Sequence, residues 1–462
     1  MNKHSRLIAL LLGIFILLSA AACSGGGDAE TSAEETADTR TPETTDVITP
    51  TTTEEPSVSA SATPETTTEV TTEETVPETT SPPVATDVIR ILRQKDRGEA
   101  LSSLFADGEE KALLSEREER LLRDHLLEIE VTLTENIVSR VENDVLAAEK
   151  GYDLLLLTPE DGIALLTDGM LENLAEAGID IKPDSAGVLS SLTESLTVGG
   201  GAYLVSTIAL TSDITSTYAL RYDGTSLSSS PVESALSGNF TTELMLAYLK
   251  ETENAFSLGE SSRLTLYRGL GGKVFIKTES GIPTSAVTDD AIFKSAYTAA
   301  ADIGAKSADG KAIFTLEKIS ALESGNIYLP IPKATANIGY SQPVDHSTLS
   351  LLAAPAGVVS GNRLKTLLSA LILSSGSYRD AVRAGIVKNG AENSLAALNI
   401  IEANSSLDLG ILLGWGDIDD LIADGLNKGT TADALLADRM TEMRNKAVDV
   451  AAKIVADRLG IK

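Results

Sequence analysis

The sequence predicts an α/β fold of two lobes with a helical C-terminal part. Strand-type and helix-type segments alternate from Asp87 onward, which is typical of sheets whose strands are joined by helical crossovers. The chain from residue 87 to residue 462 is longer than one typical domain, which favours two lobes. Beyond Asn362 the apolar residues recur almost entirely at helical spacing.

Residues 1–22 are typical of a cleaved signal peptide. Lys3 and Arg6 precede an apolar run from Leu7 to Leu18, and small residues follow. That run is too short to span a bilayer comfortably as a helix. The only cysteine of the chain, Cys23, ends the small-residue run in a way that resembles a lipobox. We therefore predict lipidation at Cys23, with an ordinary cleaved signal as the alternative.

Residues 23–86 are predicted to form the lipidated start and a disordered acidic stalk. From Asp28 to Thr86 the sequence holds 20 threonines, 7 prolines and 14 acidic residues against one basic residue, Arg40. Such a segment cannot bury enough apolar surface to offset its chain entropy, and like charges extend it. The net charge of the whole chain is −30, which argues against nucleic acid and anionic lipid headgroups as partners.

The first part of lobe 1 is predicted over residues 87–215. The continuous apolar run before Thr158 is typical of a strand buried on both faces of a parallel sheet, and Pro159 suits the start of a helix. The predicted strands are 88–92, 128–134 and 152–158, and the predicted helices are 113–127, 136–150 and 160–177.

Lobe 2 is predicted over residues 216–335, and residues 336–462 supply the remainder of both lobes. The strands expected from residue 200 onward are 202–208, 217–222, 264–267, 273–278, 312–315, 326–330 and 347–354. The expected helices are 241–253, 291–303 and most of the chain after residue 362, ending with 432–459.

The order of these segments resembles the extracellular solute-binding proteins of ABC importers, family 1 type, in their lipoprotein form. The resemblance covers nearly all of residues 87–462 and rests on GYDLLLL (151–157), LTVGGGAYLV (196–205), STYAL (216–220), IYLPIPK (327–333) and LDLGILLGWG (407–416). It implies a two-lobe periplasmic-binding-protein-like fold of type II. It also implies a small solute such as a carbohydrate in the interlobe cleft, hinge closure, an ABC permease as partner, a monomer, and a place on the extracellular face of the cell membrane.

Sequence motifs for covalent chemistry are scarce. After removal of the signal peptide only His125 and His346 remain as histidines, and His346 is expected in a loop. No G-x-S-x-G turn is present, and Gly269–Gly272 does not match a phosphate-binding fingerprint. We therefore expect no enzyme activity, cofactor or metal. Three acids at a predicted helix start suit the helix dipole, with a calcium site as the alternative: Asp417, Asp419 and Asp420.

Ligand-binding side chains are expected where loops leave the carboxyl ends of parallel strands. This rule selects Arg93 and Gln94 after the first strand, and Thr158, Glu160 and Asp161 after the third. Further candidates lie on the crossing segments and in later loops: Asp213, Tyr218, Tyr340 and Trp415. A turn or cap role remains open for each polar candidate, and core packing remains open for Trp415.

The low aromatic content, 4% of the chain, departs from clefts that stack sugar rings on several aromatic faces. It leaves the sugar assignment open. The rival hypothesis is a stalked cell-surface protein that keeps the fold but binds a protein or wall polymer, and a hydrolase comes third.

Overall fold

A computed structural model describes the chain from residue 84 to residue 445. The gaps within this range are 86, 150, 181–186, 199, 253–254, 274, 278–282, 286–290, 409–415 and 443–444. The predictions of a signal peptide, of lipidation at Cys23, of the stalk up to residue 83 and of a cleft position for Trp415 lie outside the described residues.

Strands and helices alternate through the described part of the chain. The strands are β1 (Asp87–Gln94), β2 (Leu127–Thr134), β3 (Leu154–Leu157), β4 (Tyr218–Tyr222), β5 (Phe256–Ser257), β6 (Phe275–Lys277), β7 (Pro283–Ser285), β8 (Phe314–Lys318), β9 (Ile327–Leu329), β10 (Gln342–Pro343), β11 (Leu351–Ala353) and β12 (Ser405–Ser406). The helices are α1 (Gly108–His125), α2 (Ile137–Leu146), α3 (Pro159–Thr167), α4 (Ser190–Leu196), α5 (Ser212–Thr215), α6 (Pro231–Leu236), α7 (Thr242–Tyr248), α8 (Arg263–Gly269), α9 (Ala291–Gly304), α10 (Gly361–Val387), α11 (Ser394–Ala403) and α12 (Gly416–Lys428). Residues 432–442 are also helical.

The first sheet has the strand order β11-β3-β1-β2. β1 pairs in parallel with β2 and β3, whereas β11 runs antiparallel to β3. All of β3 is buried, as its continuous apolar sequence predicts. Successive side chains of a strand point to opposite faces, so Leu154 and Leu156 join one core cluster while Leu155 and Leu157 join another.

The second sheet has the strand order β5-β8-β4-β9. β5 and β8 are parallel, and β4 is antiparallel to both of its neighbours. Aromatic side chains concentrate in the core of this lobe. The Tyr222 and Phe314 rings stack with centroids 5.1 Å apart, and the Phe293 and Tyr297 rings stack at 5.9 Å.

In each sheet one strand runs antiparallel to its neighbours, and the chain enters that strand after leaving the other sheet. The chain leaves the first sheet after β3, enters the second as β4, and returns to the first as β11. Helix α10 makes a further connection. Leu364 and Leu371 pack in the core of the first lobe, whereas Ile386 packs with Ile214 and Tyr328 of the second. The predicted two-lobe α/β fold with a helical C-terminal part is confirmed by this arrangement.

Two predicted strands are wrong. Residues 264–267 belong to helix α8, where the Ser262 side chain accepts the Thr265 N–H at 3.1 Å and caps the first turn. Residues 202–208 form no strand and make only single bridges, such as Val205 with Leu352.

The predicted helix 160–177 ends early, at Thr167, because Gly169 follows with a φ of 72° that a helix cannot contain. Among the described residues no helix combines the length and apolarity that crossing a membrane requires.

Candidate functional site

A cavity of about 750 Å³ lies at the carboxyl ends of β1 and β3. The loop after β1 lines it through Asp96–Glu99, and the start of α3 lines it through Thr158 and Glu160. On the other side are the connection to β4, through Thr211, Ser212 and Thr215, and the C-terminal half of α10. Its volume lies within the range of about 300–1,000 Å³ that is typical of small-molecule sites.

The loop after β1 is shaped by two residues with positive φ, Asp96 at 59° and Gly98 at 76°. A Cβ at Gly98 would lie 3.2 Å from the Ser350 side-chain oxygen and 3.4 Å from a methyl of Leu156. Glycine is therefore favoured at position 98 because it adopts the positive φ and because it lets the loop pass close to β3. The turn brings the Glu99 side chain back to the connection between the sheets.

The Glu99 carboxylate forms part of the cavity wall. It accepts the backbone N–H groups of Thr211 and Ser212, each at 2.9 Å, at the start of α5. Burial is the largest influence on the pKa of Glu99 and raises it, although these N–H groups act in the opposite direction. Glu99 thus fastens the β1 loop to the chain that connects the two sheets. No local sequence pattern points to Glu99, because its partners lie more than a hundred positions away.

Thr158 caps helix α3 and lines the cavity. Its hydroxyl accepts the Asp161 N–H at 3.2 Å and donates to the Asp161 carboxylate at 2.8 Å. Asp161 is not among the lining residues, and its carboxylate lies 3.9 Å from Arg97 Nη1. Glu160 lines the cavity and lies 3.2 Å from His346 Nδ1. The structure therefore brings Thr158 and Glu160 to the cavity and uses Asp161 to hold Thr158.

Two other predicted ligand-binding side chains, Gln94 and Tyr340, form hydrogen bonds to backbone groups of the protein. Neither of them lines this cavity. The Gln94 side-chain oxygen accepts the Ile137 N–H at 3.4 Å, at the start of α2. The Tyr340 hydroxyl donates to the Ala235 carbonyl at 3.1 Å and accepts the Phe240 N–H at 3.2 Å. Both side chains hold local structure, and their role in binding stays a prediction.

The remaining candidates also lie apart from the cavity lining. Tyr218 is half-buried at the start of β4 and packs against the core of the second lobe. Arg93 donates to the Glu99 carbonyl at 2.8 Å, so it supports the cavity loop from behind. Asp419 is buried and lies 2.5 Å from Arg268. No three carboxylate, histidine or thiol groups among the described residues converge on a possible metal site.

Asp213 belongs to a buried ion cluster behind the cavity. Its two oxygens accept from Arg379 Nη1 at 2.9 Å and Nη2 at 2.7 Å, and Arg379 also donates to the Leu210 carbonyl at 2.8 Å. Glu402 lies 3.7 Å from Arg379 and 3.3 Å from Arg383. The cluster joins α5, α10 and α11, where the two lobes meet.

Among the described residues of the cavity lining, Tyr378 is the aromatic side chain. Its hydroxyl lies 3.4 Å from the Thr211 hydroxyl, and the Arg117 guanidinium sits 5.1 Å from its ring centroid. Burial, followed by the nearby Glu99 carboxylate, raises the pKa of Tyr378 to about 12. The ring therefore stays neutral at ordinary pH. The lining also carries the hydroxyls of Thr158, Thr211, Ser212, Thr215, Ser347 and Thr348.

Comparison with known proteins gives no match to a protein-family model and none to a curated protein. Three solved structures are similar to the chain at low identity. The GacH receptor of Streptomyces glaucescens, solved without ligand and with acarbose, is 14% identical with a TM-score of 0.44, over 79% of this chain and 99% of that one.

The bacterial solute receptor AcbH, described as preferring β-D-galactopyranose exclusively, is 11% identical with a TM-score of 0.48, over 80% of this chain and 98% of that one. An ABC transporter solute-binding protein from Agrobacterium vitis with bound D-mannitol is 13% identical with a TM-score of 0.39, over 78% of this chain and 98% of that one. At these identities and TM-scores, the two-lobe fold of this chain rests on its own sheets rather than on the likeness.

Proposed function

We propose that the chain is the substrate-binding lipoprotein of an ABC importer and captures a small hydroxylated solute. The observation that carries this proposal is the cavity at the carboxyl ends of β1 and β3, with the connections between the sheets as its other wall. A solute there would touch the first lobe and the segments about which the lobes move. Its binding would favour the conformation that encloses it, because only that conformation adds contacts.

The chemistry of the lining suits a polar solute. Hydroxyl and carboxylate oxygens accept hydrogen bonds from a solute that carries several O–H or N–H groups. These groups fix orientation and selectivity, while Leu113 and Val382 supply apolar surface. Such a wall can recognise a solute without any covalent step, so we propose binding and release as the whole function of the cavity.

Filling the cavity tests this proposal. Ala381 lines it from helix α10, whereas Ala384 lies on the same helix and is exposed. We expect Ala381→Trp to abolish the thermal stabilisation that a bound solute gives, because its ring would occupy the solute's space. We expect Ala384→Trp to keep that stabilisation. The measurement is the shift of the melting temperature with each member of a panel of monosaccharides, disaccharides, polyols and their amino derivatives.

Small-angle scattering supplies the second readout. With a solute that stabilises the protein, the radius of gyration should fall as the lobes close. A stabilising solute that still binds Ala381→Trp would place binding elsewhere. An unchanged scattering profile at saturation would favour the rival, a rigid surface-interaction protein.

A further inference from the structure

From the charge around the cavity we infer that the solute is an organic cation, a hydroxylated compound that carries one or more ammonium groups. The inference rests on the proposed function, since it names the class of solute for the same cavity. Among the residues that the structure describes, five carboxylates line the cavity, from Asp96, Glu99, Glu109, Glu110 and Glu160, against one guanidinium, from Arg97.

The N–H groups of Thr211 and Ser212 bind Glu99, and Glu160 lies 3.2 Å from His346 Nδ1. The excess negative charge of the wall therefore rests on Asp96, Glu109 and Glu110, which Arg97 does not neutralise. Arg97 Nη1 lies 3.9 Å from Asp161, which is outside the lining, and it forms no other ion pair with the described residues. Glu109 and Glu110 lie exposed in the first turn of α1, and Asp96 is exposed on the β1 loop. A concave wall with an excess of one sign of charge concentrates ions of the other sign in front of it. The negative field therefore favours a cationic solute.

The spacing of the carboxylates argues for an extended organic cation rather than a metal ion. Calcium and magnesium need several oxygens within about 2.0–2.6 Å of one point. Among the described side chains no three such groups converge in that way. The acids stand on three separate elements, namely the β1 loop, α1 and α3, around a cavity of about 750 Å³. Several ammonium or hydroxyl groups on one molecule fit this distribution.

The aromatic part of the lining points away from a neutral sugar. A neutral sugar commonly gains affinity by stacking its C–H face on an exposed aromatic ring. Tyr378 is only 3% exposed, and the Arg117 guanidinium already packs over its ring. The described wall therefore offers charge attraction, hydrogen bonds and the apolar surface of Leu113 and Val382, but no exposed aromatic face.

Matched pairs of solutes test the inference with the full-length chain. The pairs are glucosamine with glucose, and the diamine chitobiose with its neutral N,N′-diacetyl form. We expect the amine of at least one pair to bind about tenfold or more tightly than its neutral partner. We also expect that advantage to shrink as sodium chloride is added, because exposed charges are screened. Isothermal titration calorimetry measures both effects.

A pair of double variants shows whether the cavity carboxylates cause the preference. Glu109→Gln with Glu110→Gln should remove most of the advantage of the amine. Glu128→Gln with Glu130→Gln removes the same charge from exposed positions of β2 and should leave the advantage intact. Melting temperatures without solute verify that both proteins are folded.

Each outcome decides the inference. Equal or tighter binding of the neutral members overturns it and leaves the proposed function standing. The inference is also overturned if the amine preference survives Glu109→Gln with Glu110→Gln in α1. It is overturned as well if Glu128→Gln with Glu130→Gln in β2 removes the preference. Stabilisation by calcium or magnesium chloride alone, lost in the α1 variant, would replace it with a metal site. If no member of either pair binds, the inference fails. The proposed function fails as well only if no solute of the wider panel stabilises the protein.

Discussion

Asp213 and Arg379 are almost completely buried, with side chains 4% and 6% exposed, and they bind each other through two hydrogen bonds. Taking two charges out of water is costly, and close paired geometry offsets that cost. Removing one member leaves the other charged, buried and without its main partner. Their contribution to the free energy of unfolding therefore depends on both members being present.

We expect Arg379→Met to lower the free energy of unfolding by about 3–5 kcal/mol, because it leaves Asp213 without its guanidinium. Urea denaturation measures the loss as a lower midpoint at an unchanged slope. The control is Arg439→Met, which breaks an exposed ion pair with Glu442 and should cost at most about 1 kcal/mol. A similar loss in both variants would contradict the stabilising role assigned to the buried pair.

At the scale of elements, the packing of α9 against α12 contains an unsatisfied group. The Tyr297 hydroxyl of α9 is buried without a hydrogen-bond partner among the described residues. It lies close to Gly425 of α12, where a Cβ would be only 2.5 Å from it. Glycine thus makes room for the phenol. Burial, followed by the charge of Asp424, raises the pKa of Tyr297 to about 12.

We expect Tyr297→Phe to raise the free energy of unfolding by about 1 kcal/mol at neutral pH, since a buried unsatisfied hydroxyl is removed. The folded-state pKa lies above the value of about 10 in an unfolded chain. The wild type therefore loses stability as pH rises from 10 towards 12, and the advantage of the variant should grow in that window.

Urea denaturation across this pH range measures the effect. Tyr340→Phe is the control, because the Tyr340 hydroxyl makes two hydrogen bonds and its removal should destabilise the protein. A destabilised Tyr297→Phe would mean that its hydroxyl has a partner.

Sequence patterns predicted the strands whose burial is either continuous or regularly alternating. The apolar run of β3 and the alternation of β2 gave the parallel sheet, since each pattern fits one strand environment. Residues 264–267 were misassigned because a run of four residues fits a strand and a helix equally well. The helix is stabilised by the Ser262 cap and by packing against the core of the second lobe.

The candidate site was predictable only where it follows the strands. Thr158 and Glu160 line the cavity because the chain leaves a parallel strand at its carboxyl end. Glu99 and Tyr378 reach the same cavity only through the tertiary fold, which brings residues 99, 211 and 378 together. Asp213 was selected for its place between the two crossing segments, and the structure pairs its carboxylate with Arg379. Local sequence carries no signal for such distant pairings.

At the scale of the whole molecule, the proposed anchoring of the protein at the cell membrane rests on Cys23 and the residues before it. We expect Cys23→Ala to move the protein from the membrane fraction to the medium, or to leave it unprocessed, because the acyl chains would be lost. Several chains are needed, since one alone holds only marginally. Fractionation and metabolic labelling with a fatty acid measure the change. Normal acylation and membrane retention of the variant would refute the anchor at this residue.

The return of the chain to the first sheet has a consequence for the order of assembly. A chain emerges from the ribosome with its N-terminus first, yet the first sheet lacks its edge strand until residues 351–353 appear. By then every strand of the second sheet, between residues 218 and 329, has already been synthesised. The sheet that begins later in the gene can thus be completed sooner. The earlier sheet waits for a partner almost two hundred residues downstream of β3, and pairing over such a separation is slow.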